Sequence, residues 1–531
     1  MSSEPRTRDW PIRPVTALLI LVLLLGAALR LYHLGEQSLW YDEGASLFLR
    51  HLVDSHLTIL HPSANNEPPM NAVLTRVWYG LVRTLTHYPV NSEQNDFLIR
   101  LLPCLCAIAA LPLIFLVGRR ILGCDWAALF ATFLFAISPF QIYYAQELRI
   151  YAFYVLIGLL TVWAMIDALE RDRWWAWALM TLGMTAMMYS HYVSVWNIFA
   201  LNLFFLCSVW VYRRVFWKWV AANAAMMILI LPALYLAWQF NKVLLTVKYA
   251  WYPELTWKTG LITFKNLLAG YGPAAWAYWP LFLMASALLV LGLWSLRRRW
   301  PMAVLLAAAA IVPIAANVAM WTHRPFSFYE HRLFIFSTVA ATWAIAQGVR
   351  ALKRPAFMTI ALALLTAFTL PGLRDYYAHR LHPIEVHRLA VYDKVDFRSA
   401  AAYIQANLQP GDLVGHANHF MVYPMKHYLT ANQVRLGMSE VDEQIFIDGF
   451  GNVPLLQRHD LMPVPVEQAT REARRVWFTE SYGFTFEYKP LTDPIRNWLD
   501  THWTQVEHHT FNGLYVTLYQ RKEPAMPAHT S

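Results

Sequence analysis

About eleven apolar runs, each approaching the roughly 20 residues that a spanning helix requires, constrain this chain more than any other feature. They lie near 14–29, 98–117, 125–143, 150–169, 174–190, 193–211, 219–240, 276–296, 301–321, 333–349 and 356–372. In hydrocarbon every backbone polar group needs an internal partner, so runs of this length imply helices. A hydrophobic share of 57% with only 15% charged residues excludes an ordinary soluble domain. The 24 tryptophans and 27 tyrosines suit aromatic belts at both interfaces.

Basic clusters supply the topology. Arg119-Arg120, Arg171 with Arg173, Arg213-Arg214 with Lys218, Arg297 to Arg299, and Arg350 with Lys353 and Arg354 fall on every second connection. Those connections are expected to be cytoplasmic. Arg6, Arg8 and Arg13 precede the first run, and no small-residue cleavage site follows before Arg30. The first run therefore reads as an uncleaved span with a cytoplasmic N-terminus. Residues 69–86 contain Arg76 and Arg83, and a crossing there would invert every later cluster. They read as an amphipathic helix lying in the outer interface. The expected fold is a multi-spanning α-helical membrane protein of about eleven to thirteen transmembrane helices. It would occupy residues 1–373, with a first outer loop at 31–97, and place the C-terminal region outside.

After Leu373 the chain turns polar. Phe397 to Leu408 predicts an amphipathic helix, followed by a turn at Gln409-Pro410-Gly411-Asp412 and a strand at Leu413-Val414. Arg475 to Phe478 and Leu514 to Tyr519 predict further strands. Residues 374–531 thus read as a small extracytoplasmic α/β domain. The net charge of +9 belongs to membrane faces and anionic headgroups, which leaves no case for nucleic acid. The four cysteines lie in or beside apolar segments and offer neither a disulfide framework nor zinc-type spacing.

Chemistry concentrates in the outer loops. Asp42-Glu43 sits just past the first span, where charge is costly and usually functional. The first loop holds Glu36, Asp42, Glu43, Asp54 and Glu67, whereas later outer loops hold Arg149, Lys242, Lys248, Lys258, Lys265, Arg324 and Arg332. Acidic and cationic loops facing each other suit a phosphorylated lipid: cations hold phosphate and a carboxylate takes a proton.

These residues resemble a known family. Asp42-Glu43 after the first span, Glu67-Pro68-Pro69-Met70, Arg100-Leu101-Leu102-Pro103 with Gly118-Arg119-Arg120, and Ser138-Pro139 through Ala145-Gln146-Glu147-Leu148-Arg149-Ile150-Tyr151 occur in the family's order. Phe397-Arg398-Ser399-Ala400-Ala401 with Pro410-Gly411-Asp412 is similar to the start of the outer domain in bacterial members. The family is that of GT-C, polyprenyl-phosphate-sugar-dependent glycosyltransferases, which includes protein O-mannosyltransferases and the aminoarabinose transferase of lipid A. Glu67 departs from it, standing where members carry His or Lys.

The resemblance implies inverting transfer of a sugar from a polyprenyl-phosphate carrier to a lipid, glycan or protein acceptor, outside a bacterial cytoplasmic (inner) membrane. It implies Asp42 as base, and Arg149, Arg332, Glu147, Tyr151, Lys242 and Lys248 around the donor. A divalent metal ion is an optional cofactor, with Glu67 and His191 as candidate ligands. Other readings stay open at several positions: Asp42 is the base or an interfacial carboxylate paired with a neighbouring Arg, and Arg149 holds phosphate or forms a salt bridge between the first loop and its own turn. Glu43 orients Asp42, binds a metal or caps the following helix. His191 is a ligand or a hydrogen-bonded interfacial histidine. The lysines from 242 to 265 form a lid, or snorkel from an ordinary loop. Rival functions are a flippase or transporter of lipid-linked glycans and a non-catalytic membrane scaffold. Transporters favour internal repeats and Gly/Pro-broken helices at mid-membrane, and neither is evident in the sequence.

Overall fold

The computed structural model describes residues 14–54, 68–86, 95–246, 257–269, 275–322, 329–381, 391–436, 442–445, 462–482 and 485–522. The first helices are α1 (Pro14–Leu31), α2 (Tyr41–Asp54), α3 (Met70–Thr86), α4 (Asn95–Leu122), α5 (Asp125–Ala136), α6 (Pro139–Ala145) and α7 (Tyr151–Arg171). Among the described residues six helices are long and apolar enough to cross a membrane, or up to eight if each of two bent pairs is one span.

The apolar runs outnumber these helices for local reasons. The run 125–143 is two helices, because Pro139 has no N–H with which to continue α5. Ser138 caps the second helix by accepting from the Gln141 N–H at 3.4 Å, and α5 and α6 meet at 61°. The runs 193–211 and 219–240 are not two straight crossings. The helix Ser194–Cys207 ends where the Ser208 hydroxyl turns back onto the Phe204 carbonyl, and Val209–Leu229 departs at 76°. The helix Trp174–Ser190 has only 17 residues, and Trp276–Trp321 forms one apolar stretch of 46 residues around a 3-10 turn at Leu296–Arg299.

The helix Ile335–Ala351 lies at the centre of the bundle and is buried along most of its length. It meets Ala275–Ser295 backbone to backbone. A Cβ at Gly292 would fall 1.8 Å from the Ala344 carbonyl oxygen, and one at Gly348 would fall 1.9 Å from that of Leu288. Small residues allow this approach in a setting where water drives no apolar association.

Charge sorts to two ends of the bundle. At one end Arg120 Nη1 lies 3.3 Å and Arg171 Nη1 3.1 Å from Asp167, Lys218 reaches Asp172 at 2.6 Å, and Arg299 donates to the Arg120 carbonyl at 3.1 Å. Arg100 and Arg149 lie at the other ends of α4 and α7, as the alternation of basic clusters requires. On α3, Ala72, Thr75 and Tyr79 are buried while Val77, Leu81 and Leu85 form an exposed apolar stripe. With 17 residues and two arginines, it is not among the helices able to cross.

The C-terminal region builds one sheet from β1 (Asp412–His416), β2 (Asp442–Ile445), β3 (Arg475–Ser481), β4 (Trp503–Phe511) and β5 (Leu514–Arg521), in the order β2-β1-β3-β5-β4. β1 pairs parallel with β2 and β3, and β5 pairs antiparallel with β3 and β4. The predicted helix spans Phe397–Asn407. The sequence reading omitted β2, β4 and the helices His419–Leu436 and Thr485–His502. β4 is almost wholly exposed and so lacks an apolar face, although Asn512-Gly513 between it and β5 is a hairpin signal. Gly513 takes the left-handed conformation (φ 86).

This sheet region docks on the segment between α1 and α4. Gly44 lets α2 approach the helix His419–Leu436, since a Cβ there would stand 3.0 Å from the Pro424 nitrogen. The Leu39 N–H donates to the Tyr428 hydroxyl at 2.7 Å, and that hydroxyl donates to Asp96 at 2.6 Å.

Candidate active site

α2 begins at Tyr41, so Glu43 occupies the third helical position. Its carboxylate accepts the N–H of Trp40, the capping residue, at 3.3 Å. This is one half of a capping box. Successive helical positions diverge by about 100°. Asp42 and Glu43, adjacent in sequence, therefore face different surroundings.

Glu43 is fully buried. It accepts from Arg100 Nε at 2.8 Å and Nη2 at 2.7 Å, from Lys394 Nζ at 3.0 Å and from the Leu148 N–H at 2.8 Å. Burial alone would raise this carboxyl, but the charges of Arg100 and Lys394 outweigh it and hold Glu43 well below the usual carboxylate range. These donors engage both oxygens of Glu43 and fix the start of α2.

Asp42 points the other way and keeps 16% of its side chain exposed. Arg332 Nη1 donates to its Oδ2 at 2.9 Å, and Arg149 Nη2 stands 3.8 Å from the same oxygen. Arg149 also donates to the Ser46 hydroxyl at 3.2 Å, and Ser46 donates to the Asp42 carbonyl at 2.8 Å. Asn71 of α3 donates to Ser46 at 3.2 Å, which brings the amphipathic helix into the site. The Arg332 guanidinium lies over the rings of Trp40 and Tyr151, 5.4 Å and 5.9 Å from their centroids. Glu330 pairs with its Nε.

Behind this pair runs a wall of tyrosines. Tyr151 contacts Tyr144 at 5.0 Å, Tyr144 contacts Tyr143 at 4.9 Å, and Tyr143 contacts Tyr392 at 5.4 Å, centroid to centroid. Glu147 is fully buried beside them, and neither carboxylate oxygen has a hydrogen-bond partner among the described residues. Burial lifts its carboxyl to about 7, with Glu43 adding to the rise and Lys394 and Arg332 opposing it. A buried carboxylic acid poised near neutrality belongs more often to a functional site than to a scaffold.

His191 accepts the Val193 N–H on Nδ1 at 3.2 Å, and its ring lies 6.2 Å from that of Tyr151. Burial, together with the charges of Arg149 and Arg332, pushes it down to about 3. The imidazole is therefore neutral, the form that ligates metals, but the two guanidiniums facing it repel a further cation. Glu67 and Lys248 lie outside the described residues, and Lys242 falls in the helix Leu231–Thr246.

Sequence reasoning passed over Lys394, Tyr392, Ser46 and Asn71, and took Arg100 only as part of a motif. Arg100 carried a signal, being a lone cation at the head of an apolar run. Lys394 carried none: it sits in an unremarkable stretch 351 residues from Glu43 and meets it only in the fold.

Known proteins give the arrangement its setting. Residues 66–238 match the family described as dolichyl-phosphate-mannose-protein mannosyltransferase. ArnT from Cupriavidus metallidurans is similar in structure, at 12% sequence identity, over 95% of this chain and 98% of that one. The TM-score is 0.59 for its apo state and 0.60 for its complex with undecaprenyl phosphate. The oligosaccharyltransferase of Archaeoglobus fulgidus in its apo form matches with a TM-score of 0.52 and 12% identity, over 98% of this chain and 76% of that one. No curated protein sequence matches the chain at a significant level. At these identities the structural likeness speaks for the fold; the family match covers Tyr143, Tyr144, Glu147, Arg149 and Tyr151, and leaves Asp42, Arg332 and Tyr392 outside it. The chain has the fold of these two membrane proteins, and its residues 66–238 match the dolichyl-phosphate-mannose-protein mannosyltransferase family.

Proposed function

We propose that the chain transfers a sugar from a polyprenyl-phosphate carrier to an acceptor on the outer face of a bacterial cytoplasmic membrane, with inversion at the anomeric carbon. The observation that carries this reading is the partly open Asp42 carboxylate held between Arg332 and Arg149. An acceptor hydroxyl attacks C1 of the sugar as Asp42 takes its proton. The new C1–O bond forms as the bond from C1 to the phosphate oxygen breaks, and the electron pair leaves with the polyprenyl phosphate. Negative charge growing on that phosphate needs fixed cations, and guanidiniums match its geometry. Arg332 and Arg149 fill this role, passing from Asp42 to phosphate as the donor enters, which frees the carboxylate to act as base.

The exposed apolar stripe of α3 supports an interfacial donor, since it would lie in the membrane surface beside Asn71 and Ser46. Tyr151 backs the phosphate-binding guanidinium of Arg332, and Lys242 and Lys248 belong to the segment that would cover the donor headgroup.

The test is single-turnover transfer by the purified chain from undecaprenyl-phosphate-linked sugars, alongside mass spectrometry of envelope glycans, lipids and proteins with and without the gene. Loss of one glycoform without the gene, restored by the wild-type chain and not by Asp42→Asn, is the expected result. Full restoration by a folded Asp42→Asn chain would sink the assignment and leave the scaffold reading.

A further inference from the structure

On the far side of the Arg100–Glu43–Lys394 cluster from Asp42, three side chains converge that the reaction above does not use. His33 and Glu36 lie in the turn after α1, and His379 lies just past the helix Pro355–Tyr377. Nδ1 of His33 meets Oε2 of Glu36, and Nε2 of His379 stands 3.5 Å from Oε1 of the same carboxylate. One ligand atom from each residue falls within 4.8 Å of the others. From this convergence we infer a zinc site that joins the first outer turn to the end of the last apolar helix.

The donor set suits the ion. Two imidazoles and one carboxylate leave a tetrahedral zinc one position for water. Ligand bonds of about 2.0–2.2 Å set neighbouring ligands roughly 3.4 Å apart, so closing the triad needs only small rotations of exposed side chains. Hard cations such as magnesium favour all-oxygen shells and would not select two imidazoles.

The two histidines share a backbone setting. His33 (φ 57) and His379 (φ 50) are two of the four non-glycine residues with positive φ among those described. Both lie just past a helix end, where the left-handed conformation is a common way for a helix to stop and histidine is among the residues that adopt it. Both occurrences aim an imidazole at the same carboxylate, from segments 346 residues apart.

The support is rigid. The His33 ring stacks on Tyr32 at 3.8 Å and 20°, with Tyr377 edge-on at 6.2 Å. The Tyr377 hydroxyl donates to the Leu29 carbonyl, and the Tyr376 hydroxyl donates to Gln146 at 2.6 Å. Gln146 in turn donates to the Arg30 and Tyr32 carbonyls at 2.9 and 2.7 Å. The two segments are thus tied to one another, and the exposed side chains they carry need only rotate to close on an ion.

The test uses the full-length chain in detergent, stripped with chelator and titrated with zinc by calorimetry, with cobalt as a spectroscopic probe. One equivalent of zinc should bind, cobalt should give the visible absorption of a four-coordinate site, and X-ray absorption of the zinc form should show two imidazoles and no thiolate. His33→Gln with His379→Gln should weaken that equivalent by more than about tenfold. An unchanged isotherm in a monodisperse double variant overturns the inference. So does the absence of a stoichiometric equivalent in the wild type. Should the double variant fail to fold, a wild-type X-ray absorption spectrum with fewer than two imidazoles overturns it equally.

Discussion

Arg332 Nη1 lies 2.9 Å from Asp42 Oδ2, joining the start of α2 to the head of the central helix across 290 residues of sequence. In the proposed reaction this bond joins the cation that would hold phosphate to the carboxylate that would take the proton. Both groups are only partly exposed, so an entering donor would meet them together.

Asp42→Asn removes the proposed base and keeps the shape. Transfer should fall by about 10²–10⁴-fold in single-turnover assays, the usual share of general-base catalysis. Thermal stability and donor binding should change little. Activity within a few-fold of wild type would move the base elsewhere.

Arg332→Lys keeps the charge but loses the planar fork and the stacking over Trp40 and Tyr151. If Arg332 meets charge growing on the leaving phosphate, the rate of the chemical step should drop on the order of 10²-fold. Binding of undecaprenyl phosphate should weaken less. Equal losses in both quantities would mark Arg332 as a ground-state anchor only.

Glu43→Gln should act on stability first. It strips the buried counter-charge from Arg100 and Lys394, and breaking a buried pair costs about 3–5 kcal/mol. The thermal midpoint in detergent should fall sharply, and pairing the change with Lys394→Met should restore part of it. A Glu43→Gln chain of unchanged stability and abolished activity would give Glu43 a direct part in the reaction.

Glu147 makes a signed pH prediction. Its folded value of about 7 stands above the ordinary 4.5, so the folded chain keeps a proton that the unfolded chain releases. The contribution to stability is whole below about pH 4.5 and is lost as pH rises to about 7, with a slope of up to ~1.4 kcal/mol per unit. Glu147→Gln should flatten this part of a melting-temperature profile taken from pH 5 to 8. A parallel profile in the variant would mean that Glu147 is already ionised in the fold.

Much of the scaffold was legible before the structure. Apolar runs of spanning length gave the helical bundle, because backbone in hydrocarbon has few other solutions. The alternation of basic clusters anticipated that Arg120 and Arg171 would gather at one end and Arg149 at the other. Sequence failed at breaks inside apolar runs, where Ser138-Pro139 and Ser208 bend helices that hydropathy alone joins. It failed also at β4, an exposed strand without an apolar face.

At the site, the residue types were written in the chain and their partnerships were not. The sequence by itself determined that a carboxylate pair would open α2 and that arginines would enter at the start of later spans, since local pattern and charge placement carry that information. Only the tertiary structure decided that the adjacent carboxylates divide. Glu43 is drawn inward by Arg100 and Lys394, and Asp42 is left facing Arg332 and Arg149. The reason is geometric: one residue along a helix is about 100° around it. What waits in each direction comes from chain hundreds of residues away, where no local signal reaches.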